Sequence, residues 1–141
     1  MADSFALALQ KTLISKLKND SGVKGLVASR VYDEPPQSAT LPLIRLGALV
    51  TVPLRSDCGS AADIDFSIEV HSRPNSGRVE ATRIAEAVVA ALDTKDLNID
   101  GFSAVKTHWQ GTVVSRDPDG ESYIAVLTFE TILEAEVEDV I

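Results

Sequence analysis

The sequence predicts an α+β fold, with a mostly antiparallel sheet of four to five strands and two main helices packed on one face. Three observations carry that expectation. Asp63-Ile64-Asp65-Phe66-Ser67-Ile68-Glu69-Val70 alternates polar and apolar residues without a break, the pattern of a strand with one buried and one wet face. After a turn at Ser72-Arg73-Pro74-Asn75-Ser76-Gly77 the period changes from two to 3.6. Ala81, Ile84, Ala85, Val88, Ala91 and Leu92 then fall on one helical stripe. Finally, the order of elements favours hairpins over strand–helix–strand crossovers, which points to antiparallel pairing with helices gathered on one side.

The remaining elements follow in chain order. Asp3 or Ser4 can cap a first helix. Phe5, Leu9, Leu13 and Leu17 recur along one side of it, and Lys16 and Lys18 sit where the helix dipole favours cations. Asn19-Asp20-Ser21-Gly22 stops that helix, and Val23, Leu26 and Val27 suggest one further turn. Arg30-Val31-Tyr32 reads as a short strand. Asp33 to Thr40 holds two prolines and is a connection. From Pro42 to Val52 both alternating sets are mostly apolar, so this strand is expected to be covered on both faces for part of its length. Pro53 to Ala61 is a polar joining loop, longer than a tight hairpin turn. Beyond the second helix, Val105, Trp109 and Val113 lie in phase. Asp117-Pro118-Asp119-Gly120 has turn chemistry, and Tyr123, Ala125, Leu127 and Phe129 return on one face. Phe102 to Leu133 is therefore expected to form a hairpin.

A length of 141 residues suits one domain, 1–141, with 134–141 expected to be a flexible acidic tail. The hydrophobic share of 45% and charged share of 24% are those of a globular protein. A net charge of −8 disfavours a nucleic-acid surface, which would carry a basic patch, and disfavours an anionic membrane. One cysteine excludes an internal disulfide, and two histidines supply few soft metal ligands. The N-terminus lacks the basic region of a secretory signal, so synthesis in the cytoplasm is expected.

Candidate chemistry is sparse. Asp63, Asp65 and Glu69 share one strand face and could imitate an acid–base or metal cluster, but alternate residues on an outer face point at water. His71 and His108 have no Gly-x-Ser-x-Gly nucleophile partner. Cys58 lies beside Asp57, which disfavours a thiolate, and has no base near it in sequence. There is no phosphate-cradling glycine motif. Trp109 is either core or an interface anchor. The strands carry more apolar positions than two short helices can cover. A second face with Leu43, Leu49, Ile124, Val126 and Ile132 would be a reason to associate. These residues predict a non-enzymatic assembly domain with no cofactor and no metal.

Five stretches, in this order and spacing, resemble the tail-terminator family (tail completion, or tail-to-head joining, proteins) of long-tailed bacteriophages and gene transfer agents. They are the helix Ala8-Leu9-Gln10-Lys11-Thr12-Leu13; Arg30-Val31-Tyr32-Asp33-Glu34-Pro35-Pro36-Gln37 leading into Leu41-Pro42-Leu43-Ile44; Ile64 to Arg73 with its His71-Ser72-Arg73 exit; Ile84-Ala85-Glu86-Ala87-Val88; and Arg116-Asp117-Pro118-Asp119-Gly120. The resemblance runs from about Leu7 to about Leu133. It implies a structural protein that forms a homohexameric ring, caps the head-proximal end of the tail tube and ends tube polymerisation. The implied partners are other copies of itself, the major tail tube protein and the head-completion (stopper) protein. DNA passes through without specific binding, and no membrane is involved. The implied location is the head–tail junction of the particle, with assembly in the host cytoplasm. Alternatives are another head–tail connector, stopper or adaptor, or a small-molecule-binding or hydrolytic α+β domain. On the terminator reading, Arg55, Ser56, Asp57, Cys58, Gly59, Ser60 and Trp109 are candidates for the subunit or partner interface. Asp63, Asp65 and Glu69 are candidates to face the lumen.

Overall fold

The computed structural model describes residues 4–56, 59–104 and 106–135. Its elements are α1 (Phe5–Asn19), α2 (Ser21–Val27), β1 (Val31–Tyr32), β2 (Leu43–Ser56), β3 (Gly59–His71), α3 (Gly77–Leu92), β4 (Phe102–Ala104), β5 (His108–Arg116) and β6 (Tyr123–Ala135). The sheet order is β1-β2-β3-β6-β4, and β5 also pairs with β6. The α+β class and the dominance of antiparallel pairing are as expected. The strand count is six rather than four to five, and the sheet is mixed, because β1 runs parallel to β2 through Val31↔Ile44 and Tyr32↔Arg45. A two-residue strand carries too little pattern to reveal its direction.

Helix α1 starts where the Ser4 hydroxyl accepts the Leu7 N–H at 3.2 Å, the expected N-cap geometry. Its buried stripe is Ala8, Leu9, Leu13 and Leu17. The further turn anticipated after it is a true helix, α2. The Asp20 side chain that ends α1 accepts the Val23 N–H at 3.0 Å and so opens α2. Helix α3 buries Ala81, Ile84, Ala85, Val88, Ala91 and Leu92, the six residues of the predicted stripe.

All three helices feed one core cluster on one face of the sheet. They meet Ile64, Phe66, Ile68 and Val70 of β3 and Ala125, Leu127, Phe129 and Leu133 of β6. Phe66 stacks on Phe129 with centroids 5.4 Å apart. At one end of the sheet the Ser72 hydroxyl donates to the Tyr123 carbonyl at 3.0 Å and accepts the Tyr123 N–H at 2.9 Å. This pair ties the exit of β3 to the start of β6.

Strand β2 explains why both of its alternating sets looked apolar. Its register against β3 shifts between Leu46 and Leu49. Before this bulge Ile44 and Leu46 face the core opposite Val70 and Ile68. After it Leu49 takes the core side opposite Phe66, and Val50 and Val52 turn outward opposite Asp65 and Asp63. A β-bulge inserts one residue and exchanges the faces. Leu49 therefore belongs to the core margin rather than to a second apolar face, and Leu43 is buried. Ile124, Val126 and Ile132 remain half-buried on the outer side. Gly47 sits at the bulge because a Cβ there would collide with the Ser67 hydroxyl and crowd the Glu69 carboxylate. With no side chain in the way, the Ser67 hydroxyl accepts the Ala48 N–H at 2.8 Å.

A second irregularity falls between Trp109 and Gly111 of β5. It puts Trp109 opposite Phe129 and Val113 opposite Val126, on different faces. The expected common phase of Trp109 and Val113 is thus broken by the bulge. Val105, the third member of that set, lies outside the described residues. So do Asp3 and residues 136–141, while Glu134 and Ala135 form the end of β6.

Candidate functional site: an acidic outer face and an apolar arm

The polar side of β3 is uncovered by helices, and the register decides what its carboxylates meet. Asp65 pairs with Glu130 of β6, Asp63 with Ile132, and Glu69 with Val126. The three carboxylates read as one row separate into two settings. Glu69 lies 3.6 Å from the Arg45 guanidinium and 3.1 Å from His71 Nε2, so its charge has local partners. Asp63 and Asp65 instead meet Glu130, with carboxylate oxygens within 4.8 Å of one another. A hydrogen bond that the protonated Glu130 carboxyl donates to Asp63, the charge of Asp63, burial and the charge of Asp65 together push the Glu130 carboxyl up, while His108 opposes this. The Asp63 Oδ1 atom is shielded and has no hydrogen-bond partner among the described residues.

Chemically this is a cluster of hard oxygen donors, the class that holds calcium or magnesium, and it is also a concentrated negative field. Glu130 was missed from sequence because it belongs to the polar phase of another strand. The alternation Thr128, Glu130, Ile132 opposite Phe129 and Thr131 carried the signal. Only the β3–β6 register could bring it to Asp65.

The segment 55–60 was expected to be a loop. Instead the strands continue through it, with Arg55 paired to Ser60 and Ser56 to Gly59. The segment is almost wholly polar and carries no polar–apolar alternation, which hid the strand continuation. Asp57 and Cys58 lie outside the described residues, and Ser60 is exposed. The result is a two-stranded arm whose β2 side presents Val50, Val52 and Leu54 to solvent, at 54%, 50% and 39% exposure. Three large apolar residues in a row on an edge strand form a surface prone to pairing.

Trp109 occupies a different place. Its backbone N–H donates to Asp93 at 3.0 Å and its indole N–H donates to the Thr112 hydroxyl at 3.0 Å. The ring is 43% exposed and lines an apolar cleft of about 440 Å³ with Ala85, Val89 and Val114. Trp109 is thus neither in the core nor near the arm. The sheet places the two candidate interface regions on opposite sides, since β2 and β5 are separated by β3 and β6. Asp63, Asp65 and Glu69 lie between them.

Comparison with known proteins decides what kind of molecule carries this face and arm. The profile of the family "Tail completion protein gp17" matches residues 11–134. The chain belongs to the tail completion protein gp17 family. As a family member it is a structural protein of tail assembly, and its place is the phage or phage-like particle. A chain from the virion of a native gene transfer agent particle is similar at 26% identity, covering 95% of this chain and 100% of that one, with a TM-score of 0.86. The gp17 protein of bacteriophage SPP1 has the same fold, at 22% identity, covering 96% of this chain and 93% of that one, with a TM-score of 0.57. No curated protein sequence matches. Among the described residues no helix is long and apolar enough to cross a membrane.

Proposed function

We propose that this tail completion protein caps the head-proximal end of the tail tube as a ring of identical subunits. In doing so it ends tube polymerisation and offers its free side to the head-completion protein. The observation that carries the reading is the family match over residues 11–134, joined to the likeness to a virion chain along nearly the whole sequence. The role is structural and needs no catalytic residue or cofactor.

The geometry supports this reading in two ways. A ring requires heterologous contacts, in which one patch of a subunit meets a different patch of the next. The apolar arm on β2 and the Trp109 cleft beside β5 are two unlike patches on opposite sides of one sheet. The acidic face between them suits a wall past which DNA slides. Each subunit carries a net charge of −8, and a ring multiplies it, so phosphates are repelled rather than held. Asp63, Asp65 and Glu130 face the lumen in this arrangement, with Glu69 partly neutralised beside them.

The test is a null mutant of the gene, viewed by electron microscopy. Overlong or unstable tails beside separate filled heads are expected. Normal tails with heads that leak DNA would overturn the capping role in favour of a stopper.

A further inference from the structure

The chain carries a net charge of −8, yet one of its clefts is lined by three arginines. At the end of the sheet where β3 leaves for α3, a cleft of about 590 Å³ is lined by Arg30, Arg73 and Arg83 together with Leu41, Pro42 and Val79. Arg30 is held by its Nε donating to the Pro42 carbonyl at 2.7 Å. Arg73 is held by Glu80, whose carboxylate accepts its Nε at 2.8 Å and its backbone N–H at 2.7 Å. Arg83 is exposed and has no ion pair among the described residues. Three guanidiniums therefore face one carboxylate, which leaves positive charge uncompensated in a protein of net charge −8. Beside them Val79 is 63% exposed.

We propose that this cleft docks the acidic segment 136–141 of a second copy of the chain. That segment reads Glu136-Val137-Glu138-Asp139-Val140-Ile141. It interleaves three carboxylates with three aliphatic side chains, the complement of three arginines beside Leu41, Pro42 and Val79. Arginine favours such sites because its planar fork binds carboxylates in pairs. Arg30 is already oriented by its contact with Pro42, which lowers the ordering cost of binding. Glu80 occupies the Nε and Nη2 of Arg73, so Arg30 and Arg83 carry the positive charge left for a ligand.

Reach decides that the donor is another copy. The cleft lies at the Tyr123 end of β6, where Ser72 clamps Tyr123 and Arg73 follows. The acidic segment departs from the Ala135 end. A strand from Tyr123 to Ala135 spans about 40 Å, whereas residues 136–141 fully extended cover about 20 Å. The segment cannot return to its own cleft. It therefore links one subunit to the next in a head-to-tail contact, which is heterologous. DNA fits less well. The cleft is recessed, half apolar and contains the Glu80 carboxylate, whereas phosphate backbones bind open basic surfaces.

The test uses the full-length chain and a fluorescent peptide of residues 134–141, read by anisotropy. Saturable binding is expected, weakened roughly tenfold or more by Arg83→Glu and much less by Arg83→Lys, with circular dichroism unchanged in both. A peptide with lysine at 136 and 138 should not bind. Absence of binding up to about 1 mM, equal binding to Arg83→Glu, or preferential binding of a short DNA duplex would overturn the proposal. In a Cys58→Ser background, Val79→Cys combined with Val140→Cys should oxidise to covalently linked chains. A disulfide closed within single chains would refute the contact between copies. None of these readouts depends on whether the ring caps a tube, so each reading can fail alone.

Discussion

The two halves of β2 have similar apolar content and opposite fates. Leu43, Ile44 and Leu46 are buried in the first half, with β1 alongside and the helices beneath. Val50, Val52 and Leu54 in the second half are exposed, and among the described residues only β3 pairs with them. Apolar content does not distinguish these halves; cover does. The first half stabilises the monomer. The second half has the same kind of side chain with nothing over it among the described residues, the kind of edge that favours pairing.

Substitutions can break or sharpen that contrast, beginning with the strongest. Phe66→Asp places a charge against Phe129 in the shared core and should cost at least about 4 kcal/mol. Circular dichroism should show an unfolded chain at 25 °C, and a folded one would mean the face assignment of β3 is wrong. Next is the matched pair Leu46→Ala and Val52→Ala. The first should cost about 2–4 kcal/mol, and the second should stay within about 0.5 kcal/mol in urea titration. Comparable costs would erase the distinction between the halves.

A smaller effect concerns the end of the sheet opposite the arm. Burial acts to raise the Glu80 carboxyl, but the hydrogen bonds from the Arg73 guanidinium and N–H, its charge and Ser76 prevail and hold it below the ordinary value. A lowered folded-state pKa means a contribution fully present above the unfolded value and lost as pH falls through the folded one. Glu80→Gln should therefore be less stable at neutral pH, by about 0.5–1 kcal/mol since Arg73 is largely exposed. Its difference from wild type should vanish in acid. A constant difference at all pH values would assign the effect to packing instead.

The smallest effect on stability carries the largest consequence for assembly. Replacing Arg55–Ser60 with Asn-Gly joins the Leu54↔Ala61 pair by a tight turn. It should shift Tm by no more than about 2 °C, while particles carrying the variant fail to complete. Full particle yield would remove the arm tip from any contact.

What could be read from the sequence followed the length and purity of each pattern. The β3 alternation and the α3 stripe each repeat over several periods, and every residue assigned to their buried sides is buried. The bulges in β2 and β5 could not be read. A one-residue insertion leaves local composition unchanged and only reverses the faces beyond it. Val50 and Val52 thus seemed to continue the side of Ile44, and Trp109 seemed to share that of Val113. The acidic cluster was two-thirds legible for a related reason. Asp63 and Asp65 lie on one strand, but Glu130 joins them through a register that no single strand encodes. The parallel β1 was hidden by its brevity.

The bulge at Gly47 also acts as a lock on alignment. Strands joined by a hairpin can slide, and a slide of one residue would turn Arg45 into the core while sending Leu46 out. A slide of two restores the faces, but it brings Arg45 or Leu49 against Ser67, where only the bare backbone of Gly47 fits. One alignment satisfies both conditions. The exposed ribbon of Val50, Val52 and Leu54 is thereby set at one height by the chain's own folding.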